Sequence, residues 1–219
     1  MSAKPGLDPT MSGSEVVKAL DGLYSKVKTP LSHKSAFQLL IATILSAQCT
    51  DAQVNRVTPA LFAAFPGPEE LASARLAELE RIVKSTGFYH VKAKRIKEVS
   101  RKIMSDFAGQ VPDSMEDLVK LPGVGRKTAN IVLSAGYDKI SGIAVDTHVF
   151  RVSRRIGLTE SKTPEKIEQD LMRITPRHLW PRLSMLLIFH GRAICMARKP
   201  LCEKCVLSSK CLCYKSLRK

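Results

Sequence analysis

Apolar side chains recur at helical spacing along nearly the whole chain, a pattern that suits packed short helices and little else. Val16, Val17, Leu20 and Leu23 repeat in this way after Ser14. Phe37, Leu39, Leu40, Ile44 and Leu45 crowd a segment that is apolar on every side, as a buried helix must be. Leu76, Leu79, Ile82 and Val83 mark a further helix, and Val91, Ile96, Val99 and Ile103 another. Helix breakers stand between them: Pro66-Gly67-Pro68, Val111-Pro112-Asp113, Leu121-Pro122-Gly123, and Thr163-Pro164 with Glu165 opening a new helix. Only the short GIAV segment at 142–145 reads as a strand. About ten short helices are expected, each marginal alone, so they must pack on one another. The expected fold class is all-α.

The chain has 219 residues, enough for one large domain or two modest ones. Its 35 Lys and Arg against 20 Asp and Glu give a net charge of +15. A field of that sign recruits polyanions, and nucleic acid is the commonest large one. A generically basic soluble protein is the alternative on charge alone. Lys92, Lys94, Arg95, Lys97, Arg101 and Lys102 read as the solvated outer face of a helix over 89–106. A run of about 18 apolar residues occurs nowhere, so no membrane span is expected. The first fifteen residues lack the apolar core of a signal peptide, which points to a cytoplasmic location. In such reducing surroundings six cysteines are better read as ligands or thiols than as disulfides.

Five of those six lie in 191–219, a stretch with eight Lys or Arg and one acid, Glu203. Four follow the spacing Cys195-x6-Cys202-x2-Cys205-x5-Cys211. Thiolates so grouped bind soft metals and pin loops that lack a core. Zinc favours two close knuckles, whereas here one pair is close and the other two cysteines reach in from wider loops. That arrangement suits a bulkier iron–sulfur cubane. Spacing alone leaves zinc and unliganded thiols open. Cys213 and Cys49 read as bystanders, Cys49 as a small thiol at the end of an apolar helix.

Between two helical patterns stands Leu121-Pro122-Gly123-Val124-Gly125-Arg126-Lys127-Thr128-Ala129. Its glycines permit a tight turn and leave backbone N–H groups uncovered at the start of the next helix. Such a helix start is an anion site, and a DNA phosphate suits it without any reading of sequence. Proline before the turn and Arg126-Lys127 after it match the helix–hairpin–helix motif of DNA-binding proteins. Lys127 falls in the first helical turn, where it serves either as a surface phosphate contact or as a nucleophile. A neutral lysine amine attacks aldehyde-like carbons and forms Schiff bases. In Ala144-Val145-Asp146-Thr147-His148, Asp146 precedes a helical run. It is either a plain N-cap or a carboxylate that caps with one oxygen and takes a proton with the other.

Taken together these residues resemble the endonuclease III family of DNA glycosylase and abasic-site lyases. The resemblance runs from about Ser32 to Tyr214 and includes LLIATILSAQCTD (39–51), GFYHVKAKRI (87–96), LPGVGRKTANIVL (121–133), AVDTHVFRV (144–152) and HGRAICMARKPLCEKC (190–205). It implies a six-helix domain over 29–139 and a second helical domain from 1–28 and 140–219, flanking a DNA-binding cleft. It implies one [4Fe–4S] cluster on Cys195, Cys202, Cys205 and Cys211. Lys127 aligns with the family's Schiff-base lysine and Asp146 with its assisting aspartate. Adenine-excising relatives carry another residue, often serine, in place of that lysine, so Lys127 argues for the bifunctional branch. Gln48 resembles the residue that fills the gap left by a flipped base. Phe88 stands where leucine often wedges into DNA. Gly123, Val124, Gly125, Arg126 and His148 are the further DNA-contacting positions. The implied activity is excision of oxidised pyrimidines and cleavage of abasic sites in double-stranded damaged DNA by a monomer. Its rivals are a monofunctional glycosylase and a non-catalytic DNA-binding module.

Overall fold

The computed structural model describes residues 11–24, 27 and 29–217, and among these every regular element is a helix. The segment 142–145, expected as a strand, forms none. It is instead a buried connection: Ile143, Ala144 and Val145 are covered, and the Ser184 hydroxyl donates to the Ala144 carbonyl at 2.7 Å. A side-chain partner replaces the neighbouring strand that its apolar composition suggested.

The chain divides into two compact units, Thr29–Ser141 and Met1–Lys28 with Gly142–Lys219. In the first, α2 (Ala36–Leu45) follows the Ser35 N-cap and is buried on nearly every face. It packs against α3 (Asp51–Ala64), α6 (Tyr89–Asp106) and α8 (Arg126–Gly136). Leu39, Leu40, Ile41 and Leu45 are fully covered, each stabilising the unit by about 1.5–3 kcal/mol. Two short helices, α4 (Pro68–Ser73) and α5 (Leu76–Val83), lie along α6. A four-residue α7 (Met115–Leu118), capped by Ser114, leads through the hairpin into α8.

The basic residues of α6 are not one solvated face. Lys94 is exposed, but Lys92 is only 5% exposed, and its Nζ donates to the Thr86 carbonyl at 2.7 Å. Lys97 donates to the Ala74 carbonyl and Arg101 to that of Ala72. These cations satisfy carbonyls at the end of α4 and of the 3₁₀ turn Lys84–Thr86, which have lost their helical partners. Val91, expected on the apolar stripe, is 62% exposed.

The second unit has its own core. α1 (Gly13–Asp21) starts with a capping box between Ser12 and Glu15 and packs on α11 (Trp180–Ala193). α11 also lies against α9 (Thr147–Ile156), where Gly191 allows close approach: a Cβ there would sit 3.0 Å from that of His148. α10 (Pro164–Arg173) opens at the Thr163 cap, as the Thr-Pro-Glu signal implies. Beyond α11 the chain has only 3₁₀ turns at Cys202–Lys204 and Ser208–Lys210 before α12 (Leu212–Leu217).

Candidate DNA interface and metal centre

The hairpin begins where Leu121 N–H bonds to the Leu118 carbonyl and Val124 N–H to that of Leu121. Gly123 has φ +73°, a conformation open to glycine at little cost, and the Arg95 side chain lies across it. Val124 is buried and anchors the turn. Gly125 differs from Gly123. Its φ of −92° suits any residue, and a Cβ there would meet nothing within 4 Å. It caps α8 without a side-chain hydrogen bond. Arg126 and Lys127 follow as the first two residues of α8, both exposed.

Two exposed residues of the same unit have left-handed backbone, Gln48 at φ +52° and Phe88 at φ +50°. Their loops are tied together. Gln53, in the first turn of α3, donates to the Ser85 hydroxyl at 2.7 Å, within the 3₁₀ turn that leads to Gly87 and Phe88. Lys92 fixes the last carbonyl of that turn from beneath, and burial lowers its pKa from the usual lysine value. Phe88 is 65% exposed. Its ring is therefore largely open to solvent on a left-handed backbone.

In the other unit Asp146 caps α9. Its Oδ1 accepts from the backbone N–H groups of His148 and Val149, both at 2.8 Å, so the cap employs one oxygen of the carboxylate. His148 is half-buried, and burial lowers its pKa. Its Nδ1 lies 3.1 Å from Arg151 Nη2. Arg151 in turn donates to the carbonyls of Gly191 and Cys195, which links the Asp146 cap to the start of the cysteine loop.

Cys195, Cys202, Cys205 and Cys211 line one cavity, and Cys213 lines it with them. Cys213, which the sequence leaves as a bystander, lies close enough to Cys202 and Cys211 to raise both thiols' pKa. Burial pushes the Cys202, Cys205 and Cys211 thiols up, and neighbouring cysteines raise them further. Thiolates that repel one another in a covered site are what a cationic metal centre relieves. Among the described residues, three His, Cys, Asp or Glu side chains do not converge on a single-ion site. Four thiolates lining one covered cavity are a donor set that suits an iron–sulfur cluster.

Sequence reasoning missed two residues around these thiols. Arg155 donates to the carbonyls of Met196 and Ala197 at 2.7 and 3.0 Å and reaches the Cys195 sulfur at 3.6 Å. His190 is completely buried, and that burial takes its pKa down to about 4. It stands between Tyr24 and Cys205. The sole sequence signal for either was its place within a quoted motif or beside one.

Comparisons with known proteins agree with this geometry. The family model for the HhH-GPD superfamily of base excision DNA repair proteins matches residues 41–177. The chain is similar to endonuclease III of Synechocystis sp., 48% identical over 198 residues that cover 90% of each protein. It is also similar to a solved structure of a trapped endonuclease III–DNA covalent intermediate, an estranged-adenine complex, with TM-score 0.89 and 37% identity. That match covers 95% of this chain and all of the other. A non-covalent endonuclease III–DNA complex matches with TM-score 0.89, 38% identity and the same coverage.

Proposed function

The chain belongs to the endonuclease III family of the HhH-GPD superfamily, a DNA glycosylase and abasic-site lyase of base excision repair, and on that footing we propose that Lys127 is its nucleophile. The observation that carries the assignment is the position of this amine. It is exposed in the first turn of α8, directly after a hairpin that ends at Gly125 with open space where a side chain would stand.

The target is an oxidised, ring-saturated pyrimidine in double-stranded DNA, rotated out of the stack because its glycosidic carbon is unreachable within the duplex. The Lys127 amine bonds to C1′, and the base departs with the glycosidic electron pair. The sugar ring opens to a Schiff base between Nζ and C1′. Loss of a C2′ proton then expels the 3′ phosphate, and water releases the lysine. Asp146 assists by taking the amine's proton through the oxygen its cap does not employ. Gln48 and Phe88 occupy the space vacated in the stack, with Phe88 stacking where leucine would wedge. Gly123, Val124, Gly125 and Arg126 contact phosphate, and His148 approaches the strand beside Asp146. The proposed acting species is a monomer.

Cys195, Cys202, Cys205 and Cys211 hold a [4Fe–4S] cluster. When bound, it supplies positive charge and four bonds that pin a loop with little core of its own. The same loop carries Arg198 and Lys199, poised for phosphates.

Borohydride reduction on abasic or oxidised-pyrimidine duplexes tests the nucleophile. Wild type is expected to give a covalent adduct and a nick, and Lys127→Ala neither, with abasic-site binding retained. Lys127→Arg should fail equally, because a guanidinium stays protonated and cannot form the imine. A trapped adduct at wild-type yield in Lys127→Ala would move the chemistry to another amine.

A further inference from the structure

One fully buried histidine reaches the cysteine loop at two points. His190, near the end of α11, accepts the N–H groups of Ile194 and Cys195 at its backbone carbonyl, at 2.9 and 2.8 Å. The first cysteine of the loop is thereby fixed to the helix end. Its side chain reaches the third: Nε2 lies 3.4 Å from the Cys205 sulfur. The other ring nitrogen, Nδ1, lies 3.4 Å from the Tyr24 hydroxyl, just after α1. The Tyr24 and His190 rings meet edge to face, with centroids 6.2 Å apart. These three side chains form one chain, Tyr24–His190–Cys205.

We infer that His190 is a positioning residue for the cluster, donating Nε2–H to the Cys205 sulfur while Tyr24 fixes the tautomer that makes this possible. The inference rests on the reading of the four cysteines as cluster ligands. Its polarity follows from that ligation. A ligating sulfur has no proton and can only accept. Nε2 must then carry the hydrogen, and a neutral imidazole so protonated has a bare Nδ1. Tyr24 supplies the hydroxyl hydrogen that Nδ1 accepts. An apolar ring of the same size would leave Cys205 with only the backbone donor of Leu207 and the tyrosine hydroxyl without its imidazole acceptor. Partners of this kind orient ligands and draw electron density from sulfur, and losing one typically costs 10–100-fold in metal affinity. Hydrogen bonds to cluster sulfurs also set reduction potential, because they favour the more negative, reduced state.

The test uses whole holoprotein, beginning with iron and acid-labile sulfide in wild type, where about four of each per chain are expected. Wild type lacking both would defeat the cluster reading itself, and this inference with it. With the cluster present, two quantities are read in His190→Phe, His190→Gln and Tyr24→Phe. They are the rate of visible-absorbance loss to an iron chelator and the cluster's reduction potential. His190→Phe is expected to lose iron about 10–100-fold faster and to have a more negative potential. His190→Gln, whose amide can donate, should recover much of both. Tyr24→Phe should fall between wild type and His190→Phe. Should His190→Phe fail to accumulate, the Gln and Tyr24 variants decide the matter. Wild-type rates and potentials in Tyr24→Phe would overturn the tautomer role. A Gln variant no better than Phe, or a Phe variant no different from wild type, would overturn the donor role while leaving the cluster in place.

Discussion

At Asp146 a single oxygen, Oδ1, takes both amides of the α9 cap, and this separates structure from chemistry at one residue. Asparagine offers the same acceptor, so Asp146→Asn should unfold at the wild-type denaturant midpoint. It should nevertheless slow single-turnover nicking by roughly 10²–10⁴, the usual yield of a positioned acid–base group. Asp146→Ala should add a stability loss of about 1 kcal/mol through the missing cap. If Asn nicks at the wild-type rate, Asp146 is a cap and nothing more. Lys127 and Asp146 could be singled out from sequence because each lies in its own motif, one at a helix start and the other at a cap. His190 and Arg155 could not. Their polar partners lie far along the chain: Cys205 is 15 residues from His190, Tyr24 is 166, and Cys195 is 40 from Arg155. No local pattern of charge or spacing encodes such pairs. The place of Cys213 beside the other thiols was equally illegible, since ligand spacing says nothing of where an adjacent cysteine lies.

Among the elements, helix boundaries with side-chain caps were legible, and those formed by tertiary contacts were not. Thr163 and Pro164 announced α10. The start of α6 at Phe88, in left-handed conformation, has no such signal and depends on a buried cation beneath it. Lys92→Met should leave the Thr86 carbonyl unpaired and cost about 1–3 kcal/mol by chemical denaturation. The sign of its pH dependence follows from burial, which lowers the Lys92 pKa in the folded chain below the ordinary 10.5. The folded protein then releases this proton first, and the unfolded state binds more protons in the window just below 10.5. Wild type should therefore gain stability relative to Lys92→Met as pH rises through that window. A constant difference would show that Lys92 titrates alike in both states. The hairpin glycines divide in the same physical way. Gly123 needs its positive φ, whereas Gly125 has an ordinary φ and open space where a side chain would go. Gly125→Val should therefore keep the fold and still weaken duplex binding, because its side chain covers the amides that meet phosphate. The loss should be equal on unrelated sequences, as expected of backbone contacts. A sequence-dependent loss in a binding titration would contradict a phosphate role for the hairpin.

For the molecule as a whole, the net charge of +15 and the all-helical pattern were enough to indicate a helical protein with a polyanionic partner. Which side chains fill its two hydrophobic cores, by contrast, emerges only from tertiary packing. One gathers side chains from Leu31 to Leu133, and the other runs from Met11 to Leu20 and from Ile143 to Cys211, with no residue in common. The cysteine loop belongs to the second core alone: Leu207 and Cys211 are among its buried members, and Cys195, Cys205 and Cys213 pack against it. Between α11 and α12 regular structure amounts to two 3₁₀ turns, and the backbone hydrogen bonds there are mostly local ones that close single turns. Without a metal centre its buried thiols oppose one another's ionisation, and the loop depends on Arg155, His190 and a few apolar contacts. Removing the cluster by mild oxidation and chelation should consequently unfold the molecule unevenly. Hydrogen exchange is expected to accelerate first in the cysteine loop and α12, and then in α9 and α11, which share that core. The amides of α2, α3 and α8 draw on the other core and should retain their protection. Equal loss of protection in α2 and α9 on cluster removal would mean that the two cores unfold as one cooperative unit, and that the cluster stabilises the whole chain rather than the core that surrounds it.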